Sequence, residues 1–72
     1  MNVTIEDFCT GWFGLGIGIT DADIEQLIER LQWLRESRSH FHFRSGFQGE
    51  GGVADVEVFW TDEIKPQNMT IE

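Results

Sequence analysis

The chain has 72 residues, with thirteen acids against five bases, a formal net charge of −8, one cysteine and one proline. This length predicts a single domain, residues 1–72. The charge argues against direct binding to nucleic acid or anionic lipid, since lysine and arginine hold both ligands. With neither a signal-peptide pattern at the start nor a long apolar run, the sequence predicts a cytoplasmic protein that does not enter membranes.

Two strands are predicted in the first part of the chain. Residues 3–8 alternate weakly between apolar and polar side chains, and residues 12–19 alternate strictly. One face of the second strand carries Phe13, Leu15, Ile17 and Ile19, and the other carries Gly14, Gly16 and Gly18. The bare glycine face predicts close approach by another backbone or by a large aromatic ring such as Trp12 or Trp60.

The clearest predicted element is a helix. Thr20 followed by Asp23 has the form of a capping box, and acids in a first turn favour the helix dipole. Apolar residues then recur at spacings of three and four, at Ile24, Leu27, Ile28, Leu31 and Leu34. The helix is therefore expected to run to about residue 36, with this stripe facing the core.

A second hairpin is predicted after the helix. Residues 39–44 alternate, with His40 and His42 on one face, and the glycine-rich residues 45–52 read as its loop. Residues 53–60 return as a strand, whose two faces carry Val56, Val58 and Trp60 on one side and Asp55, Glu57 and Phe59 on the other. Lys65-Pro66 is expected to interrupt regular secondary structure, and residues 69–72 are expected to add a short edge strand.

The order β-β-α-β-β predicts an α+β fold, a small two-layer sandwich with one amphipathic helix on an antiparallel sheet. The helix stripe and the apolar strand faces would form a single core.

His40 and His42 share one strand face, a geometry that metal sites use. A third ligand would have to come from Cys9, Asp55 or Glu57. Solvent-facing strand histidines are the commoner explanation, so we predict no bound metal, no cofactor and no catalytic residue. Cys9, beside acids rather than bases, is expected to be a half-buried structural residue rather than a nucleophile.

The second hairpin and tail carry acids around exposed aromatic side chains, a pattern typical of interface centres and rims. Phe59 is the unusual member, because it is a large apolar residue on the predicted polar face. The alternative is a bulge that turns Phe59 into the core. The predicted partner-binding residues are Glu50, Asp55, Glu57, Phe59, Trp60, Asp62 and Glu63.

The helix, the His40-Phe41-His42-Phe43 run and the glycine-rich hairpin after it resemble small immunity proteins of bacterial polymorphic-toxin systems, over about residues 20–60. This resemblance implies a single-domain inhibitor that binds and blocks a cognate toxin, and it implies no catalytic residues. Phage-encoded inhibitors of nucleic-acid-guided defence complexes are similar in size and acidity.

The sequence therefore predicts a non-enzymatic acidic inhibitor that binds and blocks a basic functional surface of a protein partner, either a toxin or a nucleic-acid-binding effector. Two alternatives stay open. One is a small metal- or thiol-dependent protein that uses Cys9, His40 and His42. The other is a homodimer in which the glycine strand or the C-terminal edge strand pairs across a two-fold axis.

Overall fold

The computed structural model describes residues 1–64 and 69–72. Its elements are β1 (Asn2–Asp7), β2 (Phe13–Gly18), α1 (Asp21–Ser37), β3 (His40–Arg44) and β4 (Asp55–Phe59). The predicted α+β class and β-β-α-β-β order are confirmed. Within the described ranges the antiparallel pairing forms two separate two-stranded sheets, β1 with β2 and β3 with β4. Neither described range contains a helix with the length and apolar character needed to cross a membrane.

The ends of α1 are fixed by local hydrogen bonds, and those at its start form the capping box that the sequence predicts. The Thr20 N–H donates to Asp23 Oδ2 (3.0 Å), and the Asp23 N–H donates to Thr20 Oγ1 (3.2 Å), which completes the capping box. At the other end the N–H of Arg38 donates to the carbonyl of Leu34 (2.9 Å). Arg38 has φ of 58°, the left-handed conformation that commonly ends a helix.

The first hairpin turns through residues 8–12. The N–H of Phe8 donates to the carbonyl of Trp12 (3.2 Å), and both Cys9 and Gly11 have positive φ. The N–H of Cys9 donates to Asp7 Oδ1 (2.8 Å). The predicted half-burial of Cys9 is wrong, because a residue at the tip of this turn is exposed to solvent.

The second hairpin has a long loop, residues 45–54. The predicted loop, residues 45–52, lies within it. Val56 and Val58 are half-buried, whereas Asp55, Glu57 and Phe59 are exposed, so the predicted alternation is confirmed. The predicted edge strand at residues 69–72 is wrong: these residues form no strand, and the side chains of Met69 and Ile71 are fully exposed. The interruption of regular secondary structure predicted at Lys65-Pro66 lies outside the described residues.

The core is much smaller than the sequence predicts. Among the described residues the buried apolar side chains are Leu34 of α1 (7% exposed) and Phe41 of β3 (9%), at the junction where α1 contacts β3. A cleft of about 700 Å³ separates other parts of α1 from β3, and its lining includes Leu27 and Trp33. Among the described elements the single helix contacts the second hairpin, so none of them covers the apolar face of the first hairpin.

Candidate functional site

The register of the first hairpin gathers its apolar side chains on one face. Val3 pairs with Ile17, Ile5 with Leu15, and Asp7 with Phe13, and directly opposed residues share a face. We call this surface the first-hairpin face; it consists of Val3, Ile5, Phe13, Leu15 and Ile17. Phe13 is 65% exposed, and Trp12, which precedes it at the end of the turn, is 77% exposed.

The opposite face of the hairpin is filled by its own side chains. A Cβ atom built on Gly14 would lie 2.8 Å from Cζ of Phe8, and one on Gly16 would lie 2.8 Å from Thr4 Oγ1. The predicted approach of an aromatic ring to the glycines is therefore present, but the ring is Phe8 rather than Trp12 or Trp60. Phe8 thus covers Gly14 on the glycine side, whereas the apolar side chains of the first-hairpin face lie on the other side.

The helix adds further exposed apolar surface. Ile24, Ile28 and Leu31 are spaced by four and three residues, so they lie along one side of α1, and all three are exposed. The predicted stripe is thus divided between a buried end at Leu34 and an uncovered remainder. The expectation that these residues all enter one core is wrong.

The exposed area of the whole chain exceeds that of a closed domain. The chain exposes 6722 Å². A compact monomer of this mass is expected to expose about 4,600 Å². The excess is roughly 2,100 Å², and part of it belongs to the residues after β4, where the side chains of Ile64, Met69 and Ile71 are almost fully exposed.

Charge is distributed unevenly along the chain. The first 29 residues contain six acids, namely Glu6, Asp7, Asp21, Asp23, Glu25 and Glu29, and no lysine or arginine. These residues form the first hairpin and about half of α1. These elements therefore combine exposed apolar side chains with acids and no basic side chain.

The structure spreads the predicted partner-binding residues over the second hairpin and the segment C-terminal to it. Asp55, Glu57 and Phe59 lie on the outer face of β4, and Phe59 is 60% exposed. Glu50 lies in the loop before β4, whereas Asp62 and Glu63 come after β4, so these acids lie beyond opposite ends of the strand.

Two of the predicted residues are held by contacts within the chain. Trp60 is half-buried, and the guanidinium carbon of Arg38 lies 4.1 Å from the centroid of its ring, within the range of a cation–π contact. Asp55 accepts hydrogen bonds from His42 Nδ1 (3.0 Å) and Arg44 Nε (3.2 Å). Neither side chain is free to meet a partner without giving up these contacts.

The environment of Asp55 also changes its acidity. Desolvation raises the pKa of this carboxyl, but the hydrogen bonds and positive charges of His42 and Arg44 outweigh that effect, so the pKa is lowered. Asp55 is therefore a carboxylate at neutral pH.

His40 and His42 share a face, as predicted, and the register places Glu57 of β4 directly opposite His42. One ligand atom from each of His40, His42 and Glu57 lies within 4.8 Å of the other two. The two imidazole rings meet edge to face at 5.1 Å. Cys9, which the sequence left open as a third ligand, lies in the turn of the other hairpin and is not a member of this cluster.

Sequence reasoning placed the first-hairpin face in the core and so missed it as a surface. A signal in the sequence could have identified it: the sequence predicts two apolar hairpins but only one amphipathic helix, and one helix cannot cover both. Comparison with protein-family profiles, with characterised proteins and with solved structures gives no match to this chain.

Proposed function

We propose that the chain is a non-enzymatic acidic binding protein that blocks a basic functional surface of a protein partner. Its mode of action would be that of an immunity protein that neutralises a toxin, the class that residues 20–60 resemble. The proposal places this encounter in the cytoplasm, where a single cysteine such as Cys9 stays reduced.

The observation that carries the proposal is the first-hairpin face, on which Ile5, Phe13, Leu15 and Ile17 are exposed, together with the exposed Trp12 in the turn before β2. Contiguous exposed apolar surface on a small domain marks an interaction site, and tryptophan is prominent among the residues that dominate binding energy. Trp12 and Phe13 are neighbours in sequence and are more exposed than the other aromatic residues of the first hairpin and α1. We assign them the role of anchors in a partner's pocket.

The charge decides what kind of partner fits this surface. Two copies meeting through the first hairpin would bring together two hairpins that each carry Glu6 and Asp7 and no basic side chain, and this repulsion would oppose the apolar gain. A basic surface gains from the same acids, which would speed its approach. We therefore favour a basic protein over a second copy.

The predicted surface on β4 is part of the proposal as a smaller second contact. Glu57 and Phe59 are exposed there. Asp55 contributes less to partner binding than the sequence suggested, because its carboxylate already accepts hydrogen bonds from His42 and Arg44. Glu50, Asp62 and Glu63 add to the acidic field around the chain rather than to one compact patch.

A capture experiment with matched variants tests the proposal. The baits are the wild-type chain, a Trp12→Ser/Phe13→Ser double variant, and Phe47→Ser as a control. Phe47 is another exposed aromatic residue, but it lies in the loop of the second hairpin. Each bait is incubated with native-cell lysate at about 0.05 M and about 0.5 M salt, conditions that differ strongly in electrostatic screening. Any retained protein is then purified and titrated directly.

The proposal predicts a basic protein that binds the wild-type chain and Phe47→Ser, binds the double variant much less, and is weakened by salt. Two results would overturn it. One is binding that the double variant leaves unchanged. The other is a discrete dimer of the chain in sedimentation analysis that the double variant dissociates, since the first-hairpin face would then serve self-association.

A further inference from the structure

The outer face of the second hairpin brings together two histidines and a glutamate, of which only Glu57 also belongs to the proposed partner contact. His40 and His42 lie two residues apart on β3, and Glu57 lies across from His42 on β4. Their ligand atoms are mutually within 4.8 Å. Two imidazole nitrogens and a carboxylate oxygen are a donor set that catalytic zinc sites use.

Neighbouring side chains orient both imidazole rings. His42 Nδ1 lies 3.0 Å from each carboxylate oxygen of Asp55. A carboxylate oxygen accepts hydrogen bonds, so Nδ1 is the donor in this contact, and Nε2 is the nitrogen of His42 that is left to bind a metal. His40 Nδ1 lies 3.4 Å from Ser39 Oγ, which can accept from this nitrogen, and in that tautomer His40 Nε2 is free in the same way.

We propose that His40, His42 and Glu57 bind one divalent transition-metal ion, with Zn²⁺ as the best match. Asp55 would act as the outer carboxylate that fixes the ring of His42, an arrangement common at metal-bound histidines. Arg44 donates to the same carboxylate (3.2 Å) and helps to hold it beside His42.

The spacing requires a small contraction of the cluster. Tetrahedral zinc with bonds of about 2.0–2.1 Å places its ligand atoms about 3.3–3.4 Å apart. In the structure the three ligand atoms lie within 4.8 Å of one another. His40 and Glu57 are exposed side chains, so they can rotate without disturbing a core. The fourth coordination position would be open to water or to a side chain of a bound partner.

The metal site stands independently of the proposed function. The first-hairpin face could bind a partner without any metal, and the histidine cluster could hold zinc without any partner. The metal alone is therefore the right probe, because a failure to bind it would leave the partner-binding proposal untouched.

The test is a titration of the metal-free full-length chain with ZnCl₂ in competition with a chromogenic chelator. A Cys9→Ser background removes the exposed thiol as a competing ligand. We expect one ion per chain, with affinity reduced about tenfold or more by His42→Ala and by Glu57→Gln, and about 10- to 100-fold by Asp55→Asn. Glu50→Gln, a matched change in the loop, should leave zinc affinity unchanged.

Ring resonances of His40 and His42 in the nuclear magnetic resonance spectrum provide a second readout that needs no variant. Both should shift together and saturate at one equivalent of zinc. The proposal is overturned if zinc leaves these resonances unmoved, or if affinity is the same in the parent chain and in Glu57→Gln. Glu57 is exposed, so its substitution tests the site even if His42→Ala does not fold.

Discussion

His42 on β3 and Asp55 on β4 are diagonal neighbours across the second hairpin, and the Nδ1 atom of His42 lies 3.0 Å from both carboxylate oxygens of Asp55. This contact links the middle of β3 to the start of β4, two strands that a long loop separates in sequence. It also determines which nitrogen of His42 is left to face outward. The same pair therefore bears on the stability of the hairpin and on the proposed metal site.

Replacement of Asp55 by asparagine should reduce the stability of the fold at neutral pH and should make that stability depend less on pH. The folded-state pKa of Asp55 is lowered, so its contribution is complete above the unfolded-state pKa and is lost as pH falls through the folded-state pKa. Urea unfolding of both proteins between about pH 7 and about pH 3 measures this difference. The difference in free energy of unfolding between wild type and Asp55→Asn should become smaller as the pH falls, whereas Asp62→Asn should have the same stability as wild type at each pH. A difference that is constant with pH would contradict the stabilising role of the Asp55 carboxylate.

Loss of the Thr20 hydroxyl should destabilise α1. Its oxygen accepts the hydrogen bond from the N–H of Asp23 (3.2 Å), and removing such a cap typically costs about 1 kcal/mol. Thr20→Ala should lower the urea midpoint and the helical circular dichroism signal. Thr20→Ser keeps the acceptor and should restore most of both. Equal losses in the two variants would show that the hydroxyl is not the stabilising group.

Two phenylalanines on opposite faces of the second hairpin should respond very differently to truncation. Phe41 is buried beside α1, and Phe→Ala at buried sites typically costs about 3–5 kcal/mol, enough to unfold a chain with so small a core. Phe59→Ala, at an exposed position, should change the free energy of unfolding by no more than about 0.5 kcal/mol. Thermal unfolding followed by circular dichroism compares them. Similar losses at both positions would place Phe59 in a core and remove it from the proposed binding surface.

Alanine at Gly14 should displace the ring of Phe8. The added Cβ would lie 2.8 Å from Cζ of Phe8, and the far end of this side chain can move more easily than backbone. We expect a shift in the Phe8 ring resonances and a loss of stability that vanishes in a Phe8→Ala background, as a double-mutant cycle would show. Gly18→Ala is the control, because its Cβ would meet the nearest atoms at an ordinary 3.7 Å. Additive effects of the Phe8 and Gly14 changes would contradict the contact.

Local features of the fold were predictable from the sequence. The capping box at Thr20 and Asp23 involves residues three apart, and the alternation that exposes Phe59 has a period of two, so neither depends on distant parts of the chain. The extent of the core was not predictable in this way. Leu15 and Leu34 both belong to clear apolar patterns, yet only Leu34 is buried, because burial depends on which element lies opposite.

The histidine cluster was predictable only in part. The two-residue spacing of His40 and His42 indicates a shared face, whereas the position of Glu57 opposite His42 depends on the register of the hairpin. The loop that joins the two strands, residues 45–54, is too long for its turn type to specify this register. This is why the sequence left Cys9, Asp55 and Glu57 as equal candidates for a third ligand.

The central claim is that the first-hairpin face and Trp12 anchor a basic partner. Its most direct test is the binding kinetics of the purified partner with the wild-type chain and with Trp12→Ser/Phe13→Ser, measured by surface plasmon resonance over a range of salt concentrations. The account predicts that the double variant dissociates much faster while its association rate keeps the same dependence on salt, since the anchors are apolar and the acids are unchanged. Dissociation rates that are equal for the two proteins would contradict it.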